Sequence, residues 1–553
     1  MGDTATPEPI GLLRGTGQEF TGYLTRYPLE ERTMLHVLRD RAEENPDRTW
    51  LVFDATQELT FGQAQQRANQ VANAVLETVG EDAHVGLLMR NQLEFMPSFY
   101  GAMAAGGVAV PLNADARGPL LEDVIVRSGV RLIVVREDLV EVLAKLGSLG
   151  EVSTVVVVGD PDAAEGGVLE DVEVVGFDNW IDGRDTSAPR PLPSFHDTAV
   201  LQFTSGTTGR QKGAVYPHHF LYLYSASVCE SMGRREDDVL STPLPFFHVA
   251  AIHIVANSAL HAGCVAHLKS RFSASRYWEQ IAEDGVTFAI IFGPMAAMIM
   301  KQCASAPEHR VRQIFCVPPP PEREEFEDRY GVTLNWQGYG MTEVYPLPMR
   351  AEMVPDVADD TIGYPATWYE YGVVDEHDLL LPPGTPGELV FRPLLPYGMI
   401  KGYHEDPATT TEVFRNFMFH TGDLAVYDED GLVHYRGRKN DRIRHRGENI
   451  NAAELEFVAL RHPSILEAAV YGVPAEIGEE DVKLDVILTD DTEPAELLEW
   501  LEDNLPRYMV PRYVEVWGSF PKTPSERVQK HELQALGVDR PEVHDAGERR
   551  RRR

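Results

Sequence analysis

The sequence predicts an α/β protein: a large N-terminal domain with mixed or parallel sheets, followed by a small α+β C-terminal domain. The chain has 553 residues, which is too long for one compact core. Apolar patterns typical of strands and of helices alternate from about residue 33 to residue 332, which favours parallel strands covered by helices. Two more strand-like segments and a helix-like segment follow between residues 468 and 504.

The first half of the large domain has the clearest alternation. A helical pattern begins near Thr33, and Thr60 is expected to cap a second helix. A Gly-, Asp- and Pro-rich stretch from about residue 159 to 197 is predicted to be a connector, and it leads to the buried strand 199–203. The other strand-like runs in this half are 50–53, 85–89, 108–111, 131–135 and 155–158.

Composition narrows the class of protein. The net charge is −36, from 50 basic and 86 acidic residues, which argues against nucleic acid or an anionic membrane as a partner. No apolar run reaches the roughly 18 residues that a membrane span needs. The expected partner is a small-molecule substrate. The cysteines lack CxxC spacing and predict reduced thiols in a cytoplasmic protein. They are Cys229, Cys264, Cys303 and Cys316.

A glycine-rich segment from Thr204 to Gly213 follows the strand 199–203. Its glycines let backbone N–H groups approach an anion, and its hydroxyls and Lys212 add donors and positive charge. The lysine is not placed as in a GxxxxGK[ST] loop. The segment is predicted to bind a polyphosphate; a flexible surface loop is the alternative. The expected contacts are Thr204, Ser205, Gly206, Thr207, Thr208, Gly209 and Lys212.

This segment resembles the phosphate loop of adenylate-forming enzymes, a superfamily that includes acyl-CoA ligases, luciferases and nonribosomal peptide adenylation domains. Other motifs occur in the same order, so the resemblance covers about residues 30–535 and is closest to acyl-CoA ligases. It implies ATP, Mg²⁺ and CoA as co-substrates or cofactors. The additional motifs are Tyr339-Gly340-Met341-Thr342-Glu343, Gly387-Glu388-Leu389-Val390, Lys401-Gly402-Tyr403, Phe419 to Leu424 and Gly437 to Asp441.

The resemblance implies roles for individual residues. Tyr339 would pack on the adenine, Thr342 would reach the α-phosphate, and Glu343 would hold Mg²⁺, which prefers carboxylate oxygens. Asp423 would accept hydrogen bonds from both ribose hydroxyls, and Arg438 would contact ribose or phosphate.

His248 follows the segment 243–247 and corresponds to the residue that lines the carboxylate pocket in the family. A buried structural histidine is the alternative. Near the C-terminus the family usually has a lysine that bridges the carboxylate and the α-phosphate, and here Arg527 stands in its place. Arginine keeps the positive charge but is bulkier and planar. A second departure is the run Pro318–Pro321 beside the expected adenine site, which offers no backbone N–H donors.

The resemblance also implies a division into domains joined by a hinge at Asn440, about which the small domain would rotate. Residues 1–30 are predicted to be a loose arm, 31–439 the large ATP- and substrate-binding domain, 440–538 the small mobile domain and 539–553 a disordered basic tail.

Three functions are compatible with the sequence. The leading one is an AMP-forming ligase that activates a carboxylic acid as acyl-AMP and transfers it to CoA. The second is a diazotase of the same fold, which would activate nitrite and diazotise an aromatic amine. The third is a non-catalytic nucleotide-binding relative, against which the retention of Lys212, Glu343, Asp423 and Arg438 argues.

Overall fold

The computed structural model describes most of the chain. The described residues are 11–54, 56–163, 166–204, 211–317, 319–320, 322–348, 352–355, 357–439, 442–445, 448–475, 480–505, 509–523 and 527–546.

The elements are numbered in chain order. The strands are β1 (Leu13–Arg14), β2 (Thr49–Phe53), β3 (Gln57–Thr60), β4 (His84–Leu88), β5 (Val108–Pro111), β6 (Val130–Arg136), β7 (Thr154–Val158), β8 (Glu173–Gly176), β9 (Thr198–Thr204), β10 (Lys212–Pro217), β11 (Val239–Thr242), β12 (Val265–Leu268), β13 (Phe288–Ile291), β14 (Gln313–Cys316), β15 (Leu334–Asn335), β16 (Thr361–Gly363), β17 (Tyr369–Val374), β18 (Gly387–Pro393), β19 (Phe419–Tyr427), β20 (Val433–Arg438), β21 (Arg442–His445), β22 (Glu448–Asn451), β23 (Ile465–Pro474), β24 (Glu480–Leu488), β25 (Tyr513–Val516) and β26 (Val543–Asp545). The α-helices are α1 (Met34–Glu44), α2 (Phe61–Val79), α3 (Phe95–Ala104), α4 (Pro119–Ser128), α5 (Glu137–Ala144), α6 (Phe177–Ile181), α7 (His218–Ser231), α8 (Ser258–Ala262), α9 (Tyr277–Glu283), α10 (Gly293–Gln302), α11 (Arg323–Tyr330), α12 (Pro407–Val413), α13 (Ala452–Ala459), α14 (Pro494–Asn504) and α15 (Lys530–Ala535).

Two seven-stranded sheets form the centre of the large domain. Their strand orders are β10-β9-β5-β4-β6-β7-β8 and β15-β14-β13-β11-β12-β2-β3. All neighbours are parallel except β10 with β9 and β2 with β3, which are antiparallel edge pairs. The predicted large α/β domain with mixed or parallel sheets is therefore confirmed.

Alternating residues of β6 face two different cores. Leu132 belongs to a cluster that also includes Trp50 of β2 and Phe99 of α3, so this core joins both sheets. Ile133 belongs to a second cluster with Leu121 and Val140, which lie on α4 and α5. The period-two alternation of a strand buried on both faces explains this division. At the start of α2, Thr60 forms the predicted cap as part of a reciprocal capping box with Gln63.

The N-terminal segment differs from the sequence-based prediction. Residues 11–30 are packed and are not a loose arm, because β1 pairs antiparallel with β17. Leu24 and Tyr27 are buried as well. This strand completes the third sheet of the large domain, an antiparallel sheet with the order β1-β17-β18-β19-β20-β16.

The predicted connector before the phosphate loop also contains regular structure. β8 pairs in parallel with β7 and extends the first seven-stranded sheet, and α6 follows it directly. Phe177 and Trp180 on α6 are buried. The polar Glu173 and the glycine at position 176 concealed this edge strand, because only two valines stand between them.

The C-terminal domain has the predicted α+β architecture. Its sheet has the order β23-β24-β25-β26, and the hairpin of β21 with β22 precedes it. The prediction of a disordered tail is wrong for residues 543–545, because β26 pairs antiparallel with β25. Residues 547–553 and the hinge residue Asn440 lie outside the described residues. Among the helices that the structure describes, none is long and apolar enough to cross a membrane.

Candidate active site

Asp423 and Arg438 form the first part of the site. They are cross-strand partners on β19 and β20, and Nε of Arg438 lies 2.8 Å from Oδ1 of Asp423. The other carboxylate oxygen accepts a hydrogen bond from the hydroxyl of Tyr339. Asp423 is only 2% exposed, so burial strengthens the attraction between the two charges. The structure thus brings together three residues that were predicted as site residues from separate motifs.

Tyr339 begins a tight turn that presents Thr342 and Glu343. The turn is closed by reciprocal hydrogen bonds between the backbones of Tyr339 and Leu347, of 2.8 and 3.2 Å. Position 340 must be glycine, because a Cβ there would stand 2.4 Å from the ring of Tyr345. The carbonyl oxygen of Thr342 accepts a hydrogen bond from the hydroxyl of Tyr216 on β10, which fixes the turn against the strand that follows the phosphate loop.

Glu343 is a buried carboxylate with one neutral and two cationic neighbours. The hydroxyl of Tyr403 donates a 2.7 Å hydrogen bond to its Oε1. Burial raises the pKa of Glu343, while Tyr403, Arg438 and Lys212 act in the opposite direction. Nζ of Lys212 lies 5.4 Å from the centre of the Tyr403 ring. Glu343, Tyr403 and Lys212 therefore occupy one region, next to the pair of Asp423 and Arg438.

Two strands define the ends of the phosphate loop. Thr204, the last residue of β9, is the cross-strand partner of Lys212, the first residue of β10. Residues 205–210 of the loop between them lie outside the described residues, and these include the predicted contacts Ser205, Gly206, Thr207, Thr208 and Gly209. Residues 401–404 run beside β10, and His404 N–H donates to the carbonyl oxygen of Gly213 at 2.8 Å. This contact places the Lys401-Gly402-Tyr403 motif beside the loop.

Arg127 on α4 holds both ends of the phosphate loop. Its Nη2 donates a 2.6 Å hydrogen bond to the carbonyl oxygen of Gln211, and its guanidinium lies 5.6 Å from the centre of the Phe203 ring. Asp123, one turn earlier on α4, accepts hydrogen bonds of 2.9 and 2.6 Å from the same guanidinium. The sequence analysis did not identify Arg127, because it lies 84 residues before Gln211 and belongs to no motif.

His248 of the large domain lies near Arg527 of the small domain. Burial, with Arg527 as a second cause, lowers the pKa of His248 to about 4, so the imidazole is neutral at pH 7. The His248 ring packs edge-to-face on Phe292, with 6.2 Å between the ring centres. Its Nδ1 is buried and has no hydrogen-bond partner among the described residues.

Arg527 comes from the small domain and lies near Arg438 and Asp423 of the large domain. Arg527 is exposed to solvent, and the side chains of Arg438, Asp423 and Tyr339 lie near its guanidinium. Desolvation and the charge of Arg438 lower the pKa of Arg527, while Asp423, Tyr339 and Tyr435 favour its charged form. Arg527 thus lies near the pair of Asp423 and Arg438, and its correspondence to the family's lysine stays a prediction. The predicted adenine wall is only partly described, because Pro318 and Pro321 lie outside the described residues.

The fold and this cluster define the class of protein as an adenylate-forming ligase, as predicted. The chain matches the family "AMP-binding enzyme" over residues 38–404 and "AMP-binding enzyme C-terminal domain" over residues 454–527. It therefore belongs to the family of AMP-binding enzymes, and the predicted AMP-forming ligase is confirmed.

Curated relatives include crotonobetaine/carnitine–CoA ligases. The chain is 28% identical to the one from Salmonella arizonae over 509 residues, which cover 88% of this chain and 96% of the relative. It is 29% identical to the one from Citrobacter koseri over 520 residues, which cover 89% and 97%. These relatives do not favour the nitrite-activating or the non-catalytic alternative.

Solved structures share the fold. The anthranilate CoA ligase AuaEII in complex with anthranoyl-AMP has a TM-score of 0.80 and 22% identity, and the match covers 93% of this chain and 99% of that chain. The O-succinylbenzoate CoA synthetase MenE from Bacillus subtilis, in complex with AMP, has a TM-score of 0.77 and 23% identity, with coverage of 90% and 98%. The predicted large and small domains correspond to this architecture.

Proposed function

We propose that the protein activates a small carboxylic acid with ATP and then transfers the acyl group to CoA. One observation carries the proposal: two guanidinium groups and one ammonium group lie near two buried carboxylates where three motifs and the small domain come together. The carboxylates belong to Glu343 and Asp423, and the cations are Lys212, Arg438 and Arg527. Such a site suits a reaction in which charge moves between a carboxylate and a phosphate.

In the first step an oxygen of the substrate carboxylate forms a bond to the α-phosphorus, and the bond to pyrophosphate breaks. Asp423 would accept hydrogen bonds from the ribose, and Lys212 with the loop 204–209 would hold the phosphates. Arg527 would stabilise the negative charge that builds on the α-phosphate, in the role that a lysine has in similar enzymes. The protein forms no covalent bond here, so positioning and electrostatics supply the acceleration.

Mg²⁺ fits this site. Glu343 is a buried carboxylate whose charged form is favoured by a cation, and a single carboxylate together with phosphate oxygens is an ordinary Mg²⁺ environment. A bound Mg²⁺ would neutralise charge on the departing pyrophosphate. Glu343 would hold the ion, and Tyr403 would keep that carboxylate oriented through its hydrogen bond.

In the second step the thiol of CoA attacks the acyl carbon, AMP leaves, and the thiol proton is lost to solvent or a base. The small domain, residues 440–538, would rotate about Asn440 and remove Arg527 from the site so that the thiol can enter. The crotonobetaine/carnitine–CoA ligase relatives, at 28–29% identity over almost their whole length, support an acyl-CoA product.

The experiment is a measurement of pyrophosphate release with MgATP and a panel of short aliphatic and aromatic acids, each with and without CoA. The expected result is acid-dependent pyrophosphate release, with the mass of an acyl-CoA when CoA is present. Acid-dependent release without any thioester would refute the transfer step. ATP that stays intact with every acid would refute the proposed activity.

A further inference from the structure

One buried carboxylate holds the two residues that flank the pair of Asp423 and Arg438. Glu388 on β18 is 5% exposed. Its Oε1 accepts a 3.1 Å hydrogen bond from the backbone N–H of Gly422, which immediately precedes Asp423. Its Oε2 accepts a 3.0 Å hydrogen bond from Nζ of Lys439, which immediately follows Arg438. Glu388 thus contacts one chain neighbour of each member of the pair.

The sheet is irregular at the point where Asp423 stands. Between two regular cross-strand pairs of β18 and β19, the three residues 421–423 stand opposite the single residue Leu389. Such a bulge leaves backbone groups without ladder partners, and bulges often re-aim a side chain next to an active site. Gly422 has a φ of +71°, which glycine adopts without strain. The carboxylate of Glu388 supplies the acceptor that this buried N–H needs.

The acceptor on Glu388 is charged at neutral pH. Nδ1 of His420 lies 3.3 Å from Oε2, and Nη2 of Arg415 lies 3.5 Å from the same oxygen. Burial raises the pKa of Glu388, but His420 and Lys439 outweigh this effect and bring the pKa to about 2. Because an ionised acceptor forms a stronger hydrogen bond than a neutral one, Glu388 fixes the bulge more firmly than an amide would.

The pair of Asp423 and Arg438 depends on the backbone that Glu388 holds. A Cβ at position 422 would stand 4.0 Å from Nη1 of Arg438, so the bulge packs directly on that guanidinium. The same guanidinium lies 2.8 Å from Oδ1 of Asp423 through its Nε. A shift of Gly422 would therefore displace both members of the pair.

We propose that Glu388 is a positioning residue for ribose recognition. By holding Gly422 and Lys439, it keeps the carboxylate of Asp423 at the place where that group accepts hydrogen bonds from the ribose hydroxyls of ATP. The inference rests on the ribose contact of Asp423 in the proposed function. It adds a residue that acts on the nucleotide only through its neighbours, as the supporting groups of a precise binding site do.

The test measures how well the protein distinguishes ATP from nucleotides that lack one ribose hydroxyl. The Kd values of MgATP and of the magnesium complexes of 2′-deoxyATP and 3′-deoxyATP are determined by calorimetry without any acid. We expect the wild type to bind ATP about tenfold or more tightly than each analogue, because each lacks a hydroxyl that donates to a charged acceptor. Asp423→Ala sets the lower limit, with a ratio of about one.

The variants remove the contacts of Glu388 in steps. Glu388→Met has a similar length and no acceptor, and its discrimination should fall to within about threefold of that of Asp423→Ala. Glu388→Gln can still accept from Gly422 but loses the ion pair with Lys439, so an intermediate ratio is expected. Asp378→Asn is the matched control, because Asp378 accepts hydrogen bonds of 3.1 and 3.0 Å from Arg415 in the same cluster. It should keep the wild-type ratio.

The ratio separates positioning from a loss of stability. Partial unfolding weakens the binding of all three nucleotides by the same factor, so a wild-type ratio in Glu388→Met overturns the inference. An equal loss of discrimination in Asp378→Asn overturns it as well. If thermal unfolding shows that Glu388→Met does not fold, Glu388→Gln decides, and a wild-type ratio there overturns the inference.

The inference and the proposed function can fail separately. A wild type that binds ATP and both analogues equally overturns the ribose contact and the inference together. Acid-dependent pyrophosphate release, measured on the same preparation, then still reports whether the protein activates an acid. Conversely, discrimination that depends on Glu388 supports the inference even where no acid in the panel releases pyrophosphate.

Discussion

The hydroxyl of Tyr403 donates a hydrogen bond of 2.7 Å to Oε1 of Glu343, and so joins two motifs that lie 60 residues apart. Tyr403 was recognised only as part of a motif, without a role. The contact gives Tyr403 a structural role beside the phosphate loop, because residues 401–404 are hydrogen-bonded along β10. The buried carboxylate and the loop are thereby held together by one short segment.

The first prediction concerns Tyr403→Phe. Burial raises the pKa of Glu343 and the hydrogen bond from Tyr403 opposes that rise, so its loss should raise the pKa further. Because a protonated carboxyl binds Mg²⁺ poorly, we expect the acid limb of the pH–rate profile to move to higher pH, with about tenfold slower adenylation at pH 6. Pyrophosphate release is measured from pH 5.5 to 9. Tyr397→Phe, an exposed tyrosine, is the control; an equal loss at every pH would contradict the prediction.

The second prediction concerns the charge that the small domain supplies. Arg527→Ala should slow adenylation by about 10²–10³-fold, because it removes positive charge from the position where negative charge develops. The Kd for ATP should change little, and Arg527→Lys should restore much of the rate. Single-turnover formation of the acyl adenylate is measured together with ATP binding by calorimetry. Unchanged kinetics in the Ala variant would remove Arg527 from the mechanism.

The third prediction concerns Arg127 as a positioning residue for the phosphate loop. Arg127→Met should raise KM for ATP about tenfold with a smaller change in kcat, because the charged hydrogen bond to Gln211 is lost. Arg127→Lys should recover part of the loss. The control is Arg131→Met, an exposed arginine on β6. If the two Met variants have the same KM, Arg127 does not support the loop.

The fourth prediction concerns acid stability. Burial raises the pKa of Glu388, but hydrogen bonds from His420 and Lys439 outweigh this and lower it to about 2. Its ordinary value is 4.5. A folded-state pKa below the unfolded one stabilises the protein above pH 4.5, and this contribution disappears as the pH falls towards 2.

Glu388→Gln should therefore reduce the free energy of unfolding at pH 7 by up to about 3 kcal/mol. The difference from the wild type should shrink below pH 4.5. Urea unfolding at several pH values measures this difference in the free energy of unfolding. The control is Glu376→Gln, because the side chain of Glu376 is 85% exposed. A difference that stays constant from pH 7 to pH 3 would show that the Glu388 charge is not the cause.

Motifs and apolar runs predicted the parts of the molecule in which local chemistry determines structure. The buried strands of the parallel sheets and the Thr60 cap were predicted because each signal is contained in a short stretch of sequence. A run of apolar residues predicts a buried strand, and a hydroxyl residue before a helix predicts a cap. The proximity of Asp423, Arg438 and Tyr339 followed from the order of motifs in a known superfamily. Nothing in their spacing alone would have placed the three together.

The remaining features depend on long-range pairing. Strand β8 is short and lies at a sheet edge, where half of its residues need not be apolar, so its pattern resembles a connector. Arg127 donates a hydrogen bond to a backbone carbonyl oxygen, which every residue has, so no sequence pattern predicts the contact. A π-helix from Ala250 to Asn257 is equally hidden, because its apolar composition is that of any buried helix.

The N-terminal strand has a practical consequence for handling this enzyme. Besides the pairing of β1 with β17, the side-chain amide of Gln18 exchanges two hydrogen bonds with Ser227 of α7, of 3.1 and 2.8 Å. Residues 13–18 therefore connect the antiparallel sheet to α7, the helix that follows β10. A shortened version that begins at residue 31 would lack these contacts and would leave the edge of β17 that pairs with β1 without its partner strand. Expression designs should therefore retain the chain from residue 11 onwards.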